Sequence, residues 1–221
     1  MKTDIRRPKG RPLSFDLDAV LDAAVLVFWS KGYEGASLDY LTEAMGINRP
    51  SLYAKFGNKH QLFLEAIDRY IDTISRPQSL PLVQETNIVE AVSGYYREII
   101  KSVTGDGRPQ GCLIASVATE IAERDEDVRR KVSATLGAAE DFIDTRLSAE
   151  GHGAESDTRQ APVTGAMIVA AGLSFAPRAR LGASRQELNA IADGYVQRFF
   201  DSDPKQSSVA NSSADEQKEV K

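Results

Sequence analysis

The sequence predicts an all-α protein of about nine helices: an N-terminal three-helix unit containing a helix-turn-helix, joined by a fourth helix to a larger helical domain. Three observations carry this. Apolar residues recur at helical spacing in both halves, capping residues stand at the heads of the segments, and Ser37 to Lys59 reads as two short helices joined by a tight turn.

The first helix is expected from Asp16 to Lys31, with Leu17, Leu21, Ala24, Val25 and Phe28 forming one stripe. Asp16 caps it, Lys31 suits the negative end of its dipole, and Gly32 ends it. Trp29 and Tyr33 read as packing. In the next pair, Leu38, Leu41 and Met45 share a face, Ser37 caps, and Gly46 stands where a helix stops in the left-handed conformation. Asn48 starts the third helix. Pro50 is tolerated in its first turn, where an N–H has no intrahelical partner. Leu52 and Phe56 point to the core with Ile47, leaving Pro50, Ser51, Tyr53 and Ala54 outward.

Asn58 and Gln61 are spaced to cap a fourth helix reaching about Ser75, with Phe63, Ile67, Tyr70 and Ile74 on one side and Pro77 and Pro81 ending it. His60 reads as an exposed polar residue. Asn87 and Glu90 open a helix carrying Ile88, Val92, Tyr95, Ile99 and Val103, closed by a loop at 105–111. A short apolar helix from Cys112 to about Arg124 follows. Asp125 caps a longer one bearing Val128, Val132, Leu136, Ala139, Ile143 and Leu147. Glu120, Glu123, Asp125, Glu126 and Asp127 read as a solvated helix junction; a metal site is the weaker alternative, since no histidine accompanies them in sequence. Residues 149–160 read as a polar loop.

Ala161 to Ala176 is almost uncharged and rich in small residues, as expected of a helix covered nearly all round; Pro177 should kink or shorten it. Ser184 to Glu187 is a complete capping box for a last helix with Leu188, Ile191, Ala192, Tyr195 and Phe199. Residues 202–221 are polar and serine-rich, and are expected to form a disordered tail.

The net charge of −5 is unevenly spread. Residues 1–75 carry ten Lys/Arg and ten Asp/Glu, whereas the first twelve residues alone carry five cations against Asp4. No run approaches the ~18–20 apolar residues of a membrane span, and no apolar region follows the basic N-terminus, so a cytoplasmic protein is expected. Cys112 is the only cysteine, which excludes an intrachain disulfide. At a helix start its thiolate would be stabilised, making oxidant or electrophile sensing one reading; a buried packing residue is the other.

Asn48, Arg49, Ser51, Tyr53, Lys55 and Lys59 crowd donors and cations around one short helix, of the size a DNA major groove admits. Spacing alone leaves open an ordinary helical hairpin with a solvated face. The block Gly46-Ile47-Asn48-Arg49-Pro50-Ser51-Leu52-Tyr53, followed by Phe56 and Asn58-Lys59, resembles the recognition helix of the TetR/AcrR family of bacterial transcriptional regulators. The likeness covers about residues 11–75 strongly and the remainder in architecture only.

The resemblance implies a basic flexible arm at 1–13, a DNA-binding domain at 14–75 with its helix-turn-helix at about 37–56, and an effector-binding and dimerisation domain at 76–201. It implies base contacts from Asn48, Arg49, Ser51 and Tyr53 on a face shared with Pro50, Ala54 and Lys55. Phosphate contacts come from Ser37 and Lys59, and Arg11 of the arm suits the minor groove. The last two helices would pair with their copies in a second subunit, making Met167, Leu188, Ile191, Tyr195 and Phe199 candidate dimer residues. Tyr95, Ile99 and Cys112 are candidates for contact with a small effector or for redox sensing. The expected function is a dimeric repressor of double-stranded operator DNA with inverted-repeat symmetry, needing no cofactor or metal. A ligand-independent regulator acting through a protein partner is the alternative. A small helical enzyme is disfavoured, because no Ser/His/Asp set, phosphate loop or metal-ligand spacing appears.

Overall fold

The computed structural model describes residues 16–105, 107–152 and 163–200, and within them all regular structure is helical. Arg11 and the basic arm, the end of the 149–160 loop and the 202–221 tail lie outside the described residues.

The chain folds as α1 (Leu17–Gly35), α2 (Leu38–Met45), α3 (Arg49–Phe56) and α4 (Lys59–Tyr70), then α5 (Arg76–Gln78), α6 (Leu80–Gln84) and α7 (Ile88–Val103). It continues through α8 (Thr119–Ala122), α9 (Glu126–Ala149), α10 (Gly165–Leu173), α11 (Phe175–Arg180) and α12 (Arg185–Phe200). Most starts are fixed by side chains within three residues. Asp16 Oδ1 accepts from Asp18 N at 3.0 Å, Asn58 Oδ1 from Gln61 N at 2.8 Å, Asn87 Oδ1 from Val89 N at 2.8 Å and Asp125 Oδ1 from Val128 N at 3.0 Å. The box at α12 is reciprocal: Glu187 Oε2 accepts from Ser184 N at 2.7 Å, and Ser184 Oγ accepts from Glu187 N at 3.2 Å.

Several expectations are corrected. Gly32 does interrupt α1, at φ 72°, yet one more turn carries the helix to Gly35. Pro77 and Pro81 do not end the fourth helix. A π turn over Ile71–Ser75 follows α4, with the Arg76 N–H reaching back to the Ile71 carbonyl, and each proline falls in the first turn of a new segment where no N–H is needed. A second π turn, Ile114–Ala118, precedes α8. The uncharged segment is not covered all round by its own chain: Ala166, Met167 and Ala170 are exposed. It breaks at Ser174, before Pro177.

Two apolar clusters form, and their seam does not follow the break at Pro77. The first unites α1–α4 with Leu113, Ile114, Val117, Ile121, Val128 and Val132. The second joins α6, α7 and α10–α12 with the end of α9. Cys112 and Leu136 touch both. In the first, Phe28 and Phe63 pack edge to face at 4.9 Å, each buried ring contributing about 1.5–3 kcal/mol. In the second, the buried Tyr96 hydroxyl donates to the Ile168 carbonyl at 2.9 Å. The α9–α10 contact is close enough that a Cβ on Gly165 would fall 2.1 Å from the Glu140 carbonyl oxygen.

Candidate nucleic-acid interface and adjoining cavity

The turn between α2 and α3 is set by two local devices. Gly46 adopts φ 63°, and its N–H and that of Ile47 return to the carbonyls of Glu43 and Thr42, which closes α2. Asn48 Oδ1 then accepts from Ser51 N at 2.9 Å and opens α3. Leu52 and Phe56 are buried beside Leu41 and Met45, which fixes the rotation of α3 about its axis. Asn48, Arg49, Pro50, Tyr53, Ala54 and Lys55 are consequently exposed, and Ser51 is half-buried. Tyr53, at 46% exposure, is a large aromatic side chain held outward on a short rigid helix.

Two of these groups already have partners. The Asn48 oxygen is committed to its cap, leaving the amide NH2 free to donate. Arg49 bonds Asp39 of α2 at 2.6 Å, an exposed pair worth little in water and readily exchanged for an anion. Ser37 caps α2, its Oγ accepting from Tyr40 N at 3.2 Å. Lys59 is half-buried, with Nζ 4.5 Å from the Tyr33 ring centre and 3.5 Å from the Glu34 carbonyl oxygen; burial pulls its pKa down and Glu34 partly restores it. Sequence reasoning passed over Tyr40, 48% exposed, with Lys31 Nζ 4.0 Å above its ring. Its position off the Leu38, Leu41, Met45 stripe was the available signal.

His60 was expected to be exposed and is not. Its Nε2 lies 2.7 Å from Asp125 Oδ2, so the first turn of α4 is tied to the cap of α9, and Arg124 bonds Glu34 nearby at 2.6 Å. Asp127 brings a carboxylate oxygen within 4.8 Å of both. The histidine thus does accompany the acidic run, from a distant part of the chain. Asp125 is held below the usual carboxylate range chiefly by the Val128 N–H and then by His60, and Asp127 faces Arg130 at 3.4 Å. The positive end of α9 also points at this cluster, which disfavours a bound cation there.

Tyr95, Ile99 and Cys112 are brought together on the wall of a cavity of about 1100 Å³. Leu64 and Asp68 of α4, the π turn at Ile71–Ser75, Leu136 and Phe142 of α9 and Val169 of α10 also contribute to the wall. Cys112 is half-buried, and its Sγ accepts from the Tyr70 hydroxyl at 3.2 Å and from Ala115 N at 3.5 Å. The cavity therefore abuts α4, which is separated from the end of α3 by only Gly57 and Asn58.

The candidate dimer residues do not share one face. Leu188 is completely buried in its own chain, with Ala192 and Val196 beside it, because α12 presents that stripe to α7. Ile191, Tyr195 and Phe199 are half-buried, and Met167 is 44% exposed. Leu188 is a core residue, Met167 belongs to the exposed strip of α10, and Ile191, Tyr195 and Phe199 are only half covered by their own chain.

Residues 20–66 match the family model for bacterial regulatory proteins of the tetR family, and residues 88–173 match that for the C-terminal domain of LmrA/YxaF-like transcriptional regulators. The HTH-type transcriptional repressor ComR of Escherichia coli is 38% identical over 125 residues, covering 56% of this chain and 60% of ComR. The repressor BdcR of the same organism is 32% identical over 108 residues, covering 49% and 55%. The chain thus spans less than two thirds of the curated relatives it matches. A solved structure of the TetR family regulator CifR, a cysteine mutant complexed with 26 bp double-strand operator DNA, is 34% identical, covers 85% of this chain and 98% of CifR, and superposes with a TM-score of 0.74. No described helix is long and apolar enough to cross a membrane.

Proposed function

The chain belongs to the TetR family of bacterial regulatory proteins, DNA-binding transcriptional regulators, and from that premise we propose a dimeric repressor that grips an inverted-repeat operator through α3 and releases it when a small molecule fills the cavity. The observation that carries the reading is the outward face of α3, where Arg49, Tyr53 and Lys55 project from a helix whose rotation is fixed by Leu52 and Phe56. Such a helix enters a major groove with its N-terminal residues toward base edges. The Asn48 amide and Arg49 supply donors there, and Arg49 exchanges Asp39 for a base or phosphate. Lys59, at the positive end of α4, suits a phosphate. Groove insertion by Arg11 belongs to the same reading.

One eight-residue helix covers too few base pairs to select a genomic site, so two copies related by a two-fold axis are needed, and the operator repeats in inverted order. The exposed strip Ala166, Met167 and Ala170 of α10, with the half-buried Ile191 and Tyr195 of α12, supplies apolar surface for the second copy. Repression is supported by the relatives named repressors. Effector control is supported by the position of the cavity against α4, since a molecule that displaces α4 moves α3 with it. The test is an electrophoretic shift of DNA from the region upstream of the protein's own gene. Retarded DNA weakened steeply by salt, with a footprint on two half-sites about one helical turn or a multiple apart, is expected. A salt-independent shift or a single half-site would refute the dimeric reading.

A further inference from the structure

The cavity has a chemistry that restricts what can enter it. Its inner wall is apolar, formed by Ile99, Val103, Leu136, Val169 and Leu173. The charged residues that line it are all matched: Asp72 with Arg76 at 2.7 Å, Asp68 with Lys131 at 2.6 Å, and Asp127 with Arg130 at 3.4 Å. An ion entering would shed its hydration and find no free counter-charge, which disfavours charged ligands.

One polar group on the wall has no hydrogen-bond partner among the described residues and is open to the cavity. Tyr95 is only 8% exposed, and its phenol makes no hydrogen bond to any described residue. Its neighbour Tyr96, buried on the same helix, donates to the Ile168 carbonyl. Among the described residues the buried side-chain atoms without a partner are Trp29 Nε1 and Ser102 Oγ, so the Tyr95 hydroxyl is not sealed in the core; on an inner wall otherwise apolar it is a donor left available to whatever fills the cavity. Burial pushes the Tyr95 pKa up to about 12, which keeps the group protonated and able to donate at neutral pH. Gly172 of α10 packs closely beside it: an added Cβ would lie 3.0 Å from Ile99 Cδ1, 3.6 Å from the Tyr96 ring and 3.7 Å from the Tyr95 ring. Cys112, whose sulfur already accepts from Tyr70, lines the same wall.

We infer that the cavity takes an uncharged, mainly apolar small molecule bearing a hydrogen-bond acceptor, such as a carbonyl or ether oxygen, which accepts the proton of the Tyr95 hydroxyl. This rests on the reading of the cavity as the effector site and adds the chemical class of the effector. A ligand of this kind gains from apolar burial and accepts from the Tyr95 hydroxyl, whereas a plain hydrocarbon filling the cavity would exclude water from the phenol and replace it with no acceptor.

The experiment compares four probes of one skeleton by titration calorimetry on the full chain: methyl naphthyl ketone, ethylnaphthalene, naphthoate and naphthylmethylammonium. The ketone is expected to bind about tenfold tighter than the hydrocarbon and at least about tenfold tighter than either ion. Tyr95→Phe loses no hydrogen bond of the free protein, so it folds; it is expected to erase the preference for the ketone and leave the affinity for ethylnaphthalene unchanged. Failure of the ketone to bind, equal binding by an ion, or a preference that survives Tyr95→Phe overturns the inference. DNA release is measured separately. A ketone bound through Tyr95 without release leaves the ligand class standing and refutes effector control. Release by a probe that ignores Tyr95 does the reverse.

Discussion

The Tyr70 hydroxyl donates to the Cys112 sulfur across 3.2 Å, joining the last residue of α4 to the wall of the cavity. Tyr70 also meets Trp29 edge to face at 5.2 Å, so the core behind α3 and the cavity share one contact chain. Tyr70→Phe keeps the ring and removes the bond. We expect a loss of about 0.5–1.5 kcal/mol, read in urea unfolding by the emission of Trp29, the only tryptophan. An unchanged midpoint would show that the bond contributes nothing.

Tyr53→Ala is expected to cost about 1–3 kcal/mol at the operator and little on unrelated DNA. Lys59→Gln should weaken both alike and flatten the salt slope by about one unit. Fluorescence anisotropy over a salt series separates the two; equal loss of specificity in both variants would mean that Tyr53 is not on the reading face.

Leu188→Asp buries a carboxylate in the second core, so the expected result is a chain that unfolds, not a clean monomer. Met167→Glu, on the exposed strip, should instead give a folded monomer by sedimentation, with operator affinity lost and helicity retained. A Met167→Glu dimer would move the interface elsewhere.

Gly165→Ala must push α10 off the Glu140 carbonyl and should destabilise by about 1–3 kcal/mol. Gly137→Ala, in α9 with nothing within 4 Å of the added carbon, should stabilise by about 0.4–1 kcal/mol. Thermal melts of the two variants should shift in opposite directions.

Asp125 links pH to the contact between α4 and α9. Its pKa is depressed in the folded chain, so its contribution is complete well above the ordinary carboxylate value and is lost as pH falls through the lower folded one. Asp125→Asn keeps the cap and should flatten this acid-side dependence; Asp125→Ala should also cost about 1 kcal/mol at neutral pH. Parallel acid titrations of stability in all three proteins would expose the opposite result.

The sequence determined seven of the helix starts, because Asp16, Ser37, Asn48, Asn58, Asn87, Asp125 and Ser184 each bond a backbone N–H within three residues, a reach that leaves its mark in spacing; the Thr164 cap that starts α10 at Gly165 was not among them. It also determined the outward face of α3, since the burial of Leu52 and Phe56 one turn apart fixes the opposite side. Only the tertiary structure decided the π turn that carries the chain past Pro77, where a carbonyl five residues back must be free to accept. It alone brought His60 to Asp125 and set the Tyr95 phenol on the wall of a cavity beside Cys112. It also turned Leu188 inward, because α12 rotates to present Leu188, Ala192 and Val196 to α7. These depend on how whole helices rotate and slide against one another, a choice made by the packing of distant side chains and by the space they leave unfilled.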